Sequence, residues 1–161
     1  IIFITSNSYS ADCDSVYTSN AAVDCELFND GTTINSGVTI TAEVPRNFEI
    51  KTGNTSSSLT NNGTIDITAP QGFFIAVGQT LDVLTNNGTI TSDSPEAIDN
   101  EGTINFLNNT GTITVTGGAP EALSNEGTIT RLRNTGTIKN DEFTNLGCVI
   151  TRLENVSLIE M

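Results

Sequence analysis

Nineteen carboxylates, three cysteines and no histidine set the limits of what this 161-residue chain can do chemically. Without His, the Ser–His and Cys–His nucleophile pairs and imidazole metal ligands are excluded. What remains is carboxylate chemistry, in which paired Asp and Glu residues cleave a glycosidic bond as acid and base or nucleophile. The close pairs are Asp93 with Glu96, Asp99 with Glu101, and Asp141 with Glu142. Each falls in a variable loop or beside a turn, and a chain with 0 Trp and 2 Tyr lacks the usual platforms for stacking a sugar ring. The expectation is a protein that is not an enzyme, with no catalytic residue. Asp12 with Asp14, and Asp24, Glu26 and Asp30 before Gly31, offer the hard oxygens that Ca2+ takes. They complete neither an EF-hand loop nor a nonapeptide calcium repeat. No cofactor is expected, with Ca2+ the one candidate ion.

Two further surface chemistries follow from residue spacing. The Thr-x-Thr steps Thr89/Thr91, Thr112/Thr114 and Thr128/Thr130 could order water against ice, but Asp66, Asn105 and Lys139 interrupt the second position. An ice-binding face needs regularity and is not expected. Among the N-x-S/T sequons, Asn54 is the candidate glycan acceptor, because those at Asn62, Asn87, Asn108 and Asn155 arise from the repeat itself.

The elements that carry these residues are dictated by a repeated phrase: an apolar residue, any residue, Asn, any residue, Gly, Thr, Ile. It stands at Leu59–Ile65, Leu84–Ile90, Ile98–Ile104, Leu107–Ile113, Leu123–Ile129 and Leu132–Ile138, with looser copies from Leu27, Phe143 and Leu153. The Asn residues at 61, 86, 100, 109, 125, 134, 145 and 155 alternate between two columns, so one full period is 20 to 25 residues. The step from the second column to the first is 9, 9 and 10 residues, whereas the step back is 14, 16 and 11. One corner is therefore tight and the other accepts insertions. By the same rule Ile75–Leu81 is a second-column copy that has lost Asn and Gly.

Thr and Ile favour strands through their branched Cβ, N-x-G is a turn signal, and no window carries a 3.6-residue apolar stripe. A period this short, built of strands, predicts an all-β, single-domain parallel β-solenoid of about five to six coils over residues 27–161, two motifs per coil. Right-handed winding is expected from the general rule for parallel connections. Leu, Asn, Gly and Ile share one parity; Leu and Ile point inward as stacked columns, and Gly takes a positive φ at the bend. The Asn amides either form a ladder from coil to coil or cap their own bends. Residues 1–26 are expected to be an irregular N-terminal cap or inter-subunit segment, in which Cys13 and Cys25 are a candidate disulfide. Cys148 replaces a repeat Thr as a small apolar residue.

A net charge of -13, with 6 Lys and Arg, argues against nucleic acid. Residues 1–130 hold Arg46 and Lys51 against fifteen acids, and residues 131–161 hold four bases against four. No run approaches the roughly 20 apolar residues of a membrane helix.

The stretches 96–113 and 121–138 resemble the repeats of autotransporter passenger domains and related bacterial surface β-solenoid adhesins. That resemblance implies a secreted or cell-surface solenoid used as a stalk, adhesin or structural layer; similar solenoids occur in phage fibres. With the final copy stopping inside a repeat, the expected function is an extracellular structural protein. It would self-assemble through open solenoid ends, as a homo-oligomer or polymer, into a filament, sheath or surface layer. The alternative is an adhesin or phage-fibre stalk. Its surface glycan or protein ligand would be read by the variable corners Ser92, Asp93, Ser94, Pro95 and Gly117, Gly118, Ala119, Pro120.

Overall fold

The structure is a computed structural model and describes residues 11–23, 25–27, 31–42, 48–50, 55–68, 72–117, 121–139, 149–155 and 159–160. Its elements are all strands: β1 (Ala11–Asp12), β2 (Val16–Tyr17), β3 (Ala21–Val23), β4 (Cys25–Leu27), β5 (Thr32–Ile34), β6 (Thr39–Ala42), β7 (Phe48–Ile50), β8 (Thr55–Asn61), β9 (Thr64–Ile67), β10 (Phe73–Ile75), β11 (Thr80–Asn86), β12 (Thr89–Ser92), β13 (Glu96–Asn100), β14 (Thr103–Asn109), β15 (Thr112–Val115), β16 (Glu121–Asn125), β17 (Thr128–Asn134), β18 (Thr137–Lys139), β19 (Val149–Asn155) and β20 (Ile159–Glu160). From β4 to β18 each strand stacks on the one three before it, and β19 and β20 then stack on β17 and β18. Face 1 is β1-β4-β7-β10-β13-β16, face 2 runs from β2 to β19 and face 3 from β3 to β20, with 6, 7 and 7 strands. All pairings are parallel, as in Leu84↔Leu107↔Leu132 on face 2 and Ile90↔Ile113↔Ile138 on face 3.

The chain is thus the parallel β-solenoid that the spacing predicts, with three faces per coil. The first-column phrase turns the corner from face 2 to face 3, and the second-column phrase the corner from face 1 to face 2. The corner from face 3 back to face 1 carries no constant phrase. Its freedom in sequence is why two columns, not three faces, are visible in the repeat. The depth is close to the expected five to six coils. Strands from within residues 1–26, the segment set apart as an irregular cap, already pair in all three stacks through Ala11↔Cys25, Tyr17↔Ile34 and Val23↔Ala42.

Inward parity is as expected: Leu59, Leu84, Leu107, Leu132, Ile90, Ile104, Ile113, Ile129 and Ile138 are all fully buried. Each such side chain contributes about 1.5–3 kcal/mol, and the columns run along the axis as one core. Asn61, Asn86, Asn109 and Asn134 share that core at 0% exposure. They are tolerated there because each amide is spent on the next coil. Nδ2 of Asn61 donates to Oδ1 of Asn86 at 2.8 Å and to the Thr89 carbonyl at 2.9 Å. Asn86 repeats this on Asn109 and Thr112 at 2.8 and 3.0 Å, and Asn109 on Asn134 and Thr137 at the same distances. The second column does likewise, Asn100 donating to Asn125 Oδ1 at 2.6 Å. The ladder is the arrangement adopted along both columns. A local cap is added at Asn61, whose Oδ1 accepts from Gly63 N at 3.1 Å.

Of the repeat glycines among the described residues, only Gly31, in the loose copy from Leu27, has the expected positive φ, at 82°; Gly37 and Gly78, outside the phrase, have 77° and 82°. Gly63, Gly88, Gly102, Gly111, Gly127 and Gly136 are required by close approach instead. A Cβ on Gly88 would collide with the carbonyl oxygen of Gly63, one on Gly111 with that of Gly88, and one on Gly136 with that of Gly111. Backbone lies on backbone at this corner, and no side chain fits between coils. Where the phrase is missing, a four-residue turn takes its place: Ile34 and Ile75 stand in register with Asn61 and Asn100, and Gly37 and Gly78 supply the left-handed residue.

Candidate functional site

With the interior filled by aliphatic columns and amide ladders, chemistry is confined to outward positions and the variable corner. On face 1 Phe74, Asp99 and the buried Ser124 share one register column, and Glu96 and Glu121 another. Glu101 and Glu126 follow Asn100 and Asn125 at the adjoining corner. Glu96, Asp99 and Glu101 therefore border one surface, to which the next coil adds Glu121 and Glu126, a juxtaposition that sequence distance hides. Burial first, then the neighbouring carboxylates, pushes Asp99 up from an ordinary 3.8 to about 6. Glu96 is raised as well, by burial and by Glu121. Asp93 is exposed at the corner before β13; Asp141 and Glu142 lie outside the described residues.

The variable corner is ordered by the coils on either side. Asp93 N donates to the Ile67 carbonyl at 3.1 Å, Thr116 N to that of Ser92 at 2.7 Å, and Glu121 N to that of Pro95 at 2.7 Å. Ser92 and Ser94 are buried, Ser92 Oγ accepting from Ser94 N at 3.0 Å. Of the residues proposed for recognition, Asp93 and Pro95 face solvent and Gly117 is half-buried, while Gly118, Ala119 and Pro120 lie outside the described residues.

Comparison with protein-family models, curated proteins and solved structures returned no match. What can be said of a site rests on geometry alone.

Asp12 and Glu26 are register partners in β1 and β4, with Asp14 exposed nearby; Asp24 and Asp30 lie outside the described residues, and no group of three metal-binding side chains occurs among the described ones. Cys13 is buried and disulfide-bonded, and the side chain of Cys25 is outside those described, as are Asn54 and Cys148. No helix among the described residues is long and apolar enough to cross a membrane.

The threonine steps sort differently from their sequence order. Thr39, Thr64, Thr89, Thr112 and Thr137 form one unbroken column on face 3, and Thr41, Asp66, Thr91, Thr114 and Lys139 the next. Thr128, Thr130 and Asn105 belong to face 2, where Asn105 Nδ2 donates to Asp82 Oδ1 at 2.8 Å. Sequence reasoning missed the cationic end of face 2. There Arg131 lies over the Phe106 ring, 4.6 Å from its centroid, and its Nη2 contacts Glu154 Oε2 at 3.0 Å. Arg152 reaches the other oxygen of Glu154 at 2.6 Å. The signal was present as the coil period: Phe106, Arg131 and Arg152 are consecutive in one column.

Proposed function

We propose that this chain is an extracellular, non-enzymatic structural protein, of the autotransporter-passenger or adhesin kind, whose coils assemble edge to edge into a filament, sheath or surface layer. The observation that carries the reading is the apolar edge that β19 presents. Leu153 stands in register with Leu132, yet Leu153 is 53% exposed, against 0% for Leu132. A strand of a second copy laid on β19 would bury Leu153 and pair the backbone groups that a sheet edge leaves open. The charge of -13 holds copies apart by repulsion, so association should strengthen with salt.

The second reading, an adhesin or phage-fibre stalk, is favoured by the taper of the coils. On face 2, β2 and β5 have 2 and 3 residues, against 7 in β17 and β19. Short edge strands discourage pairing, which suits a tip on a shaft, with Asp93 and Pro95 meeting a surface glycan or protein. Sedimentation velocity and electron microscopy across concentration and salt separate the two. Oligomers or filaments that vanish in a folded Leu153→Asp variant support assembly. Compact monomers under every condition defeat it, and oligomers indifferent to that substitution defeat the β19 edge.

A further inference from the structure

Beyond this reading, and independently of assembly, we propose that face 1 is an acid-responsive seam: carboxylates of neighbouring coils repel one another at neutral pH, and protonation of Asp99 in their midst in a mildly acidic medium tightens the stack of β13 on β16.

The geometry is one of like charges held in register. Glu96 sits beside Glu121 in the parallel pairing, one strand spacing of about 4.8 Å apart along the axis. Glu101 and Glu126 are brought one above the other by the corner itself, since Glu101 N donates to the Ile75 carbonyl and Glu126 N to the Asn100 carbonyl, each at 2.8 Å. Asp99 stands among these four, half-buried between Phe74 and Ser124. The groups facing it are therefore Glu96 on its own strand, Glu121 on β16, Glu101 and Glu126 at the corner, and the uncharged Phe74 on β10. No Lys or Arg occurs among the described residues of face 1 or of that corner. The backbone cannot move the pairs apart, because the ladder from Asn100 to Asn125 and the close contact of Gly127 on the Gly102 carbonyl fix the register.

The direction of the effect follows from the raised folded-state value of Asp99, about 6 against an ordinary 3.8. A group raised in this way binds its proton more tightly when folded. Its stabilisation is complete below 3.8 and is lost as pH rises through about 6. Glu96, raised in the same direction, adds to it.

Thermal unfolding of the full chain, followed by circular dichroism at constant ionic strength, tests this between pH 7.5 and 5.5. The expected result is a midpoint at least ~2–4 °C higher at the lower pH, a rise that shrinks in Asp99→Asn and in the Glu96→Gln/Glu121→Gln double variant but persists in Asp93→Asn. A midpoint that is flat or falls with acidification overturns the proposal, and so does a rise that Asp99→Asn leaves intact. Should the variants fail to fold, the carboxyl carbon of Asp99 followed by NMR in the wild-type chain decides: titration near 6 supports the seam, and titration in the ordinary Asp range refutes it.

Discussion

At the scale of the residue, the repeat is explained by what each position must avoid. Gly111 is glycine because a Cβ would meet the Gly88 carbonyl oxygen of the coil below, whereas Gly78 is glycine because its φ is +82° in open space. The two should respond differently to alanine. Gly78→Ala should cost about 1–2 kcal/mol, the penalty of a left-handed residue. Gly111→Ala must push two coils apart and should cost more, with loss of cooperative unfolding in urea as the measured sign; equal costs would mean that the stack yields at its corners. Asn109 is constrained by its partners above and below. Replacing it by Ala leaves Oδ1 of Asn134 and an N–H of Asn86 buried without the ladder bonds they now make. A loss of about 1–3 kcal/mol for each is expected in chemical denaturation. The Asn100 Oδ1 atom is already buried without a partner, because Ile75 lies where an Asn would donate to it. Asn100→Ala should therefore cost less than Asn109→Ala.

At the scale of the element, the three corners differ in what they can absorb. The N-x-G corners are closed by paired bonds, Glu101 N and Gly102 N both donating to the Ile75 carbonyl at 2.8 Å, so a two-residue insertion between them removes both bonds and breaks the Gly102–Gly127 contact. The same insertion after Asp93 falls where neighbouring coils already differ in length. Its midpoint should stay within a few degrees of wild type, and the Glu101 insertion should lower it well beyond that. The strands of face 2 have their own irregularity: Ile104 and Leu107 are buried while Asn105 and Phe106 between them both face outward. That bend places Phe106 beneath Arg131 and gives the face its cationic end. Sequence alternation alone would have sent one of the two inward.

At the scale of the whole molecule, the charges are sorted by face. The acids of face 1 oppose folding near neutrality, and the Arg131–Glu154–Arg152 cluster on face 2 favours it. The hydrogen bond from Arg131 holds the Glu154 carboxylate below its ordinary 4.5, so its contribution is present above 4.5 and lost as pH falls through the lowered value. Because the Asp99 effect has the opposite sign, stability should pass through a maximum in mildly acidic medium, below the Asp99 transition and above that of Glu154. A full pH series of unfolding midpoints checks this; a maximum above pH 7 would contradict the Asp99 assignment, and stability that does not fall below the ordinary Glu range would contradict that of Glu154. Unfolding should also be graded along the axis, since each coil touches only its neighbours.

The chain's sequence by itself determined the parallel winding, the period, the shared parity of Leu, Asn, Gly and Ile, and the division into a rigid and a variable corner. These are local or periodic properties, written in every copy of the phrase. Only the tertiary structure decided that each coil has three faces, that the repeat glycines from Gly63 to Gly136 answer to backbone contact instead of to φ, and that the Asn amides bond between coils. It also decided which charges meet: Glu96 with Glu121, and Arg131 with Glu154, lie more than twenty residues apart in sequence. The physical reason is the same for all of these. Contacts along the solenoid axis are set by the register of one coil on the next, and that register exists only once the coils are stacked.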